Sequence, residues 1–195
     1  MNVGWLGPPA PALESYVESP GDSVQRAENR IAADSPIITW ADFLVSYGYR
    51  HIISEEVLNR FPRRAINLHI SYLPWNRGAD PNLWSFLEDS PKGVTIHYLD
   101  EGLDTGDILI QKRVDYAPED TLQISYNRLK SAIEELFMSV WPDIRAGNQP
   151  SFPQPPGGTS HRSRDRASFE HLLIQGWETP VAELIGKALA SKMEK

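Results

Sequence analysis

The sequence predicts an α/β fold built on a mostly parallel sheet. Three observations lead there. Short apolar runs bounded by turn residues alternate with helical stretches along the N-terminal half. The segment from Glu119 to Arg145 carries apolar residues at 122, 126, 129, 133, 136, 137, 140 and 144, the 3.6-residue period of a helix. Asn67 and His69 emerge at the end of an apolar run, where open parallel sheets place their ligand crevices.

The elements follow in order. Residues 2–6 read as a strand ended by the Gly7-Pro8-Pro9 turn, and residues 10–17 as a helix stopped by Pro20-Gly21-Asp22. Residues 22–36 are polar and weakly patterned, a trimmed helix-and-strand region. Residues 42–47 suit a buried strand, and Ser54 is placed to cap a short helix through Leu58. Residues 65–68 form a third strand. Pro81 to Glu88 is a helix with Leu83, Trp84 and Leu87 on one face, and residues 93–99 and 107–114 are strands. Asp120 and Gln123 have the spacing of a capping box for the long helix, with Gly147 at its C-cap. Four prolines between Gln149 and Gly158 mark an extended connector, and one or two short helices follow Ser168.

With 195 residues and 41% hydrophobic content, the chain suits one domain over 1–165 with a helical tail over 166–195. A net charge of −7 argues against a large nucleic-acid footprint, and so against a tRNA substrate. The absence of cysteine excludes disulfides, thiolate metal sites and a thiol nucleophile. Met1 to Pro9 has neither the basic region nor the apolar run of a signal peptide, and no stretch is long enough to span a membrane. The cytoplasm is the expected location.

Chemistry centres on Asn67, His69 and Asp104. An amide can donate to an oxyanion, an imidazole can handle a proton near neutral pH, and a carboxylate can hold that imidazole in a useful tautomer. Together they suit acyl transfer to an amine without a covalent enzyme intermediate.

The run Asn67-Leu68-His69-Ile70-Ser71-Tyr72-Leu73-Pro74-Trp75-Asn76-Arg77-Gly78 resembles the signature loop of folate-dependent formyltransferases. So does the run from Gly93-Val94-Thr95-Ile96-His97 to Glu101-Gly102-Leu103-Asp104-Thr105-Gly106. The chain is most similar to nucleotide-sugar N-formyltransferases and to formylation domains of nonribosomal peptide synthetases. Both can carry a Leu-Pro-Trp/Tyr-Asn-Arg/Lys-Gly loop and a later Gly-Gly-Thr-x-His segment, here Gly157 to His161. The resemblance covers about residues 42–165.

That resemblance implies a trimmed Rossmann-like formyltransferase core. It also implies transfer of the formyl group of N10-formyltetrahydrofolate to an amine, with Asn67 as oxyanion donor, a contribution of ~3–4 kcal/mol to the barrier. His69 would stabilise the oxyanion and assist proton transfer. Asp104 would raise the His69 pKa and hold the water that relays the amine proton. Thr95 and His97 would support the site. Two stretches resemble pterin-binding loops that act through main chain: Tyr49-Arg50-His51-Ile52-Ile53 and Asp100-Glu101-Gly102-Leu103, with Leu73 as an apolar wall. The implied acceptor is the amine of a nucleotide-linked amino sugar, contacted by Trp75, Asn76, Arg77, Asp80 and Trp84. No residue cluster has metal-ligand spacing, so no metal is expected.

Two departures stand out. Ile70 replaces the proline common in that loop, and the N-terminal half is short, with Gly4 and Gly7 only a faint glycine-rich turn. Phosphate contacts would then fall to Arg77, His161, Arg162 or Arg164. An aminoacyl group on a carrier protein is the alternative acceptor, and a non-catalytic binding protein of the same fold is the rival class.

Overall fold

The computed structural model describes residues 1–193; Glu194 and Lys195, the end of the expected tail, lie outside the described residues. The chain runs β1 (Asn2–Leu6), α1 (Pro11–Glu18), β2 (Ser23–Ala27), α2 (Pro36–Trp40), β3 (Phe43–Ser46), α3 (Glu55–Leu58) and β4 (Ala65–His69). It continues with β5 (Arg77–Gly78), α4 (Pro81–Leu87), β6 (Gly93–Tyr98), β7 (Ile108–Arg113), α5 (Leu122–Ala146) and β8 (Ser160–His161). Three 3-10 segments (Ser163–Leu172, Gly176–Glu178, Val181–Glu183) precede α6 (Lys187–Met193).

Six strands form one sheet in the order β2-β1-β3-β4-β6-β7. β2, β1, β3 and β4 pair in parallel. β6 and β7 run antiparallel, since the Tyr98 N–H bonds to Asp107 O and the Val114 N–H to Lys92 O. β1 and β3 are buried along almost their whole length and lack polar alternation, as central parallel strands do. β5 and β8 make a separate two-residue parallel pair, Arg77 opposite Ser160 and Gly78 opposite His161.

The chain divides into two compact units. The first holds residues 1–69, 96–110 and 134–153. Its core includes Leu6, Ile38, Leu44, Val57 and Phe61, and its aromatic rings meet edge to face: Trp5 with Phe137 at 6.0 Å and Phe43 with Trp141 at 5.3 Å. The second holds residues 70–95, 111–133 and 154 onward, with a core of Leu83, Trp84, Phe86, Leu87, Leu122, Val181 and Leu184.

Four local expectations change. Residues 22–36 contain a full strand, β2, which makes Ala65–His69 the fourth strand in chain order and not the third. β2 escaped the hydrophobic pattern because it is an edge strand whose residues are exposed or half-buried. Ser54 stands at the N-cap of α3, but its side chain makes no capping bond. The cap of α5 is Thr121, whose hydroxyl accepts the Ile124 N–H at 3.3 Å. Asp120 instead accepts the Ala117 N–H and pairs with Arg128, while Gln123 bonds Asn127. The buried face of α5 also rotates at its start: Ser125 is buried, and Tyr126 is 39% exposed.

Candidate active site

Asn67 and His69 are two residues apart on β4, so their side chains leave the same face of the strand. His97, on β6, is fully buried. Its Nδ1 lies 2.7 Å from the Tyr98 carbonyl oxygen. A carbonyl only accepts, so Nδ1 carries a proton in this contact. The loop after β6 then returns Asp104 to these groups.

The contacts form one network within the first unit. The Asn67 amide donates to Asp104 Oδ1 at 3.0 Å and faces His97 Nε2 at 3.4 Å. His69 Nδ1 lies 3.7 Å from Asp104 Oδ2, and His97 Nε2 lies 3.5 Å from Asp104 Oδ1. The two imidazoles cross edge to face, centroids 6.1 Å apart. All of these side chains except Asn67, which is half-buried, are at least about nine-tenths covered. In such an environment charge interactions are stronger than in water. The arrangement therefore has an amide donor, an imidazole and a shared carboxylate converging on one place. Asp104 has φ 53°, a left-handed conformation that costs a non-glycine residue about 1–2 kcal/mol, and aspartate tolerates it better than most.

The loops expected at the pterin present main chain and apolar tips. Arg50, His51, Ile52, Glu101, Gly102 and Leu103 are exposed, Ile52 by 78% and Leu103 by 47%. Ile53 is buried in the core. The Tyr49 hydroxyl is turned inward, donating to Asn29 O at 2.8 Å and accepting the Ile31 N–H at 3.2 Å. Burial raises the pKa of that phenol. The Asp100 carboxylate is bonded within its own loop, to the Gly102 N–H and the Thr105 hydroxyl.

The second unit holds the remaining candidates. Trp75 is 37% exposed at a loop tip. Asn76, by contrast, is fully buried: its amide donates to Ser90 Oγ at 2.7 Å and its oxygen accepts from Thr159 Oγ1 at 3.2 Å, which makes it part of the loop's framework. The Arg77 guanidinium donates through Nε and Nη2 to Gln154 Oε1, at 3.1 and 2.7 Å. Asp80 faces Arg166 at 3.5 Å. Trp84 is buried, and one face of its indole is covered by the His161 ring, 3.7 Å away and 4° from parallel. His161 in turn meets Glu88 at 3.2 Å. Leu73 is buried. The Thr95 hydroxyl accepts the Leu73 N–H at 3.1 Å and the Gln111 amide at 3.0 Å, and donates to Ser71 O at 2.7 Å.

Sequence reasoning missed Gln154, Glu88 and Thr105 as partners. A signal for the first existed in Gly157-Gly158-Thr159. A Cβ on Gly158 would stand 2.0 Å from Pro74 O, so only glycine lets the connector lie against the loop. The register this sets brings Thr159 onto Asn76 and Gln154 onto Arg77.

A family model for formyl transferases matches residues 17–141, and the chain belongs to that family. Among solved structures it is similar to the formyltransferase PseJ from Anoxybacillus kamchatkensis, in complex with UDP-4,6-dideoxy-4-formamido-L-AltNAc and tetrahydrofolate. The identity is 53%, over 96% of this chain and 100% of that chain, with a TM-score of 0.95. A sugar N-formyltransferase from Shewanella sp FDAARGOS_354 shares 23% identity over 86% of this chain and 79% of its own, TM-score 0.75. A 4-N formyltransferase from Francisella tularensis shares 20% over 86% and 78%, TM-score 0.77. At those two identities the likeness is one of fold.

Proposed function

We propose that this protein transfers the formyl group of N10-formyltetrahydrofolate to the amine of a UDP-linked amino sugar. The observation that carries the reading is the convergence of Asn67, His69 and Asp104 in one covered network. The relative at 53% identity, with its bound formamido sugar nucleotide and tetrahydrofolate, supports the choice of both substrates. The exposed apolar side chains of Ile52 and Leu103 on the two expected pterin loops fit a flat heteroaromatic ring, which would take them out of water.

In this reading Asn67 donates an amide hydrogen to the formyl oxygen as it gains negative charge. Of its two amide contacts, the longer one, to His97, is the one released to the substrate. His69 sits beside Asp104 and stabilises the same oxygen. Asp104 holds the water that carries the amine proton toward the departing nitrogen. Arg77 and Trp75 are the candidates for acceptor phosphate and sugar face, since both combine partial exposure with suitable chemistry. Among the described residues no helix is long and apolar enough to cross a membrane. We place the reaction in the cytoplasm, where charged folates and nucleotide sugars are free in solution, and cell fractionation checks this.

The test is direct. Purified protein is given N10-formyltetrahydrofolate with a panel of UDP- and dTDP-linked amino sugars and carrier-bound aminoacyl groups. Formamide formation on a UDP-linked sugar is expected. Activity confined to carrier-bound amino acids would replace the sugar assignment, and inactivity toward every amine would favour a binding role.

A further inference from the structure

Asp104 sits at the tip of a loop that is closed by the side chain of Asp100. Asp100 Oδ1 accepts the Gly102 N–H at 3.1 Å and the Thr105 hydroxyl at 2.7 Å, with Oδ2 2.9 Å from the same hydroxyl. One carboxylate therefore ties down the chain on both sides of Asp104. The closure is tight. A Cβ at position 102 would stand 1.9 Å from Thr105 Oγ1, so glycine there lets the Thr105 hydroxyl keep the place from which it bonds Asp100. Asp104 itself is left-handed, at φ 53°. A non-glycine residue holds that conformation only when its surroundings over-determine it. Asp104 has little burial of its own loop to rely on, because residues 100–103 and Thr105 are exposed.

We infer that Asp100 is a positioning residue: with Thr105 it forms a clamp that holds the Asp104 carboxylate against Asn67 and His69. The inference rests on the proposed role of Asp104. It also separates two uses of the 100–103 loop. The main chain stays available to a ligand, while the Asp100 side chain faces its own loop. Two hydrogen bonds of this kind together shift a loop's population by on the order of tenfold. The same factor is expected in turnover, without a matching change in substrate affinity.

The experiment compares Asp100→Ala, Asp100→Asn, Thr105→Val, Thr105→Ser and the double variant Asp100→Ala/Thr105→Val, with Asp104→Asn as reference. Each is assayed with N10-formyltetrahydrofolate and the accepted amino sugar, and each is melted thermally to confirm folding. Asp100→Ala, which removes both bonds, is expected to lower kcat about tenfold, and Thr105→Val, which removes one of them, about threefold, with both KM values within about twofold. The double variant should be no worse than Asp100→Ala alone, because Asp100→Ala already removes the bond that Thr105→Val deletes. Asp100→Asn should recover most of kcat, because both bonds that end on Oδ1 survive in an amide, and Thr105→Ser should do the same. A loss in Asp104→Asn with full kcat in both Asp100→Ala and Thr105→Val overturns the clamp and leaves the role of Asp104 standing. A raised folate KM at unchanged kcat in Asp100→Ala also overturns it, by making Asp100 a folate contact. Full activity in Asp104→Asn overturns the catalytic reading and the clamp with it.

Discussion

The hydroxyl of Tyr16 donates to the carbonyl oxygen of Met138 at 2.7 Å. Four residues after Met138 stands Pro142, inside α5, where it has no N–H to give that carbonyl. A side chain from α1 thus supplies the hydrogen bond that the proline withholds, and the long helix passes through Pro142 without ending. The exchange ties a residue near the N-terminus to the helix that carries Phe137 and Trp141 into the core.

Tyr16→Phe should therefore cost about 1–2 kcal/mol of unfolding free energy, the scale of a partly buried carbonyl left without its donor. Urea denaturation measures it. In a Pro142→Ala background, where the backbone N–H returns, the same substitution should cost distinctly less. Equal cost in both backgrounds would show that the hydroxyl acts on something other than the vacant carbonyl.

A second long-range tie predicts the acid stability of the fold. Asp22, with its side chain 1% exposed, accepts from Arg145 Nε and Nη2 at 2.5 and 2.7 Å and from the Met1 amine at 2.7 Å. The hydrogen bonds from Arg145, opposed by burial and helped by the Met1 amine, bring its pKa to about 2 from an ordinary 3.8. A depressed carboxylate stabilises the fold above its unfolded pKa, and that contribution disappears as pH falls through the folded value. About 1–2 kcal/mol should be present at pH 5 and above and be lost between about pH 4 and pH 2. Asp22→Asn should remove that slope from a plot of stability against pH. A variant that keeps the wild-type slope would assign it to other groups.

The three site residues should separate kinetically. His69→Ala is expected to lower kcat by about 10²-fold, the scale of general acid–base assistance. Asn67→Ala is expected to cost about 10²–10³-fold, the scale of one oxyanion donor. Both should leave the melting temperature within a few degrees, because neither side chain belongs to the apolar clusters. Wild-type kinetics in a folded His69→Ala protein would remove it from the chemistry.

Arg77 raises a different question, since its guanidinium is bonded to Gln154. Arg77→Ala should raise the acceptor KM about tenfold and leave the folate KM unchanged if the remaining donors meet phosphate. Gln154→Ala, which frees the guanidinium while keeping its charge, should have a smaller effect on acceptor KM. If the two variants instead lose stability equally and bind acceptor normally, the pair is only a brace for the loop.

Much of this was legible in the chain itself. Apolar runs of strand length and the 3.6-residue period of α5 are local consequences of burial, so they located β1, β3, β4, β6, β7 and the long helix. Asn67, His69 and Asp104 were recognisable because they stand in runs that resemble the signature segments of folate-dependent formyltransferases. Three-dimensional packing alone could decide which polar side chains were already engaged. Asn76, Asp80 and Trp84 had the right chemistry for a substrate, yet Ser90, Thr159, Arg166 and His161 cover or bond them. Asp120 had the right letter for a cap, but the cap falls one residue later, on Thr121. Edge strand β2 had too little buried apolar surface to leave a pattern. The physical reason is common to all of these: hydrophobic periodicity is a property of a segment, whereas the partner of a polar group is set by whichever part of the chain the fold brings into contact with it.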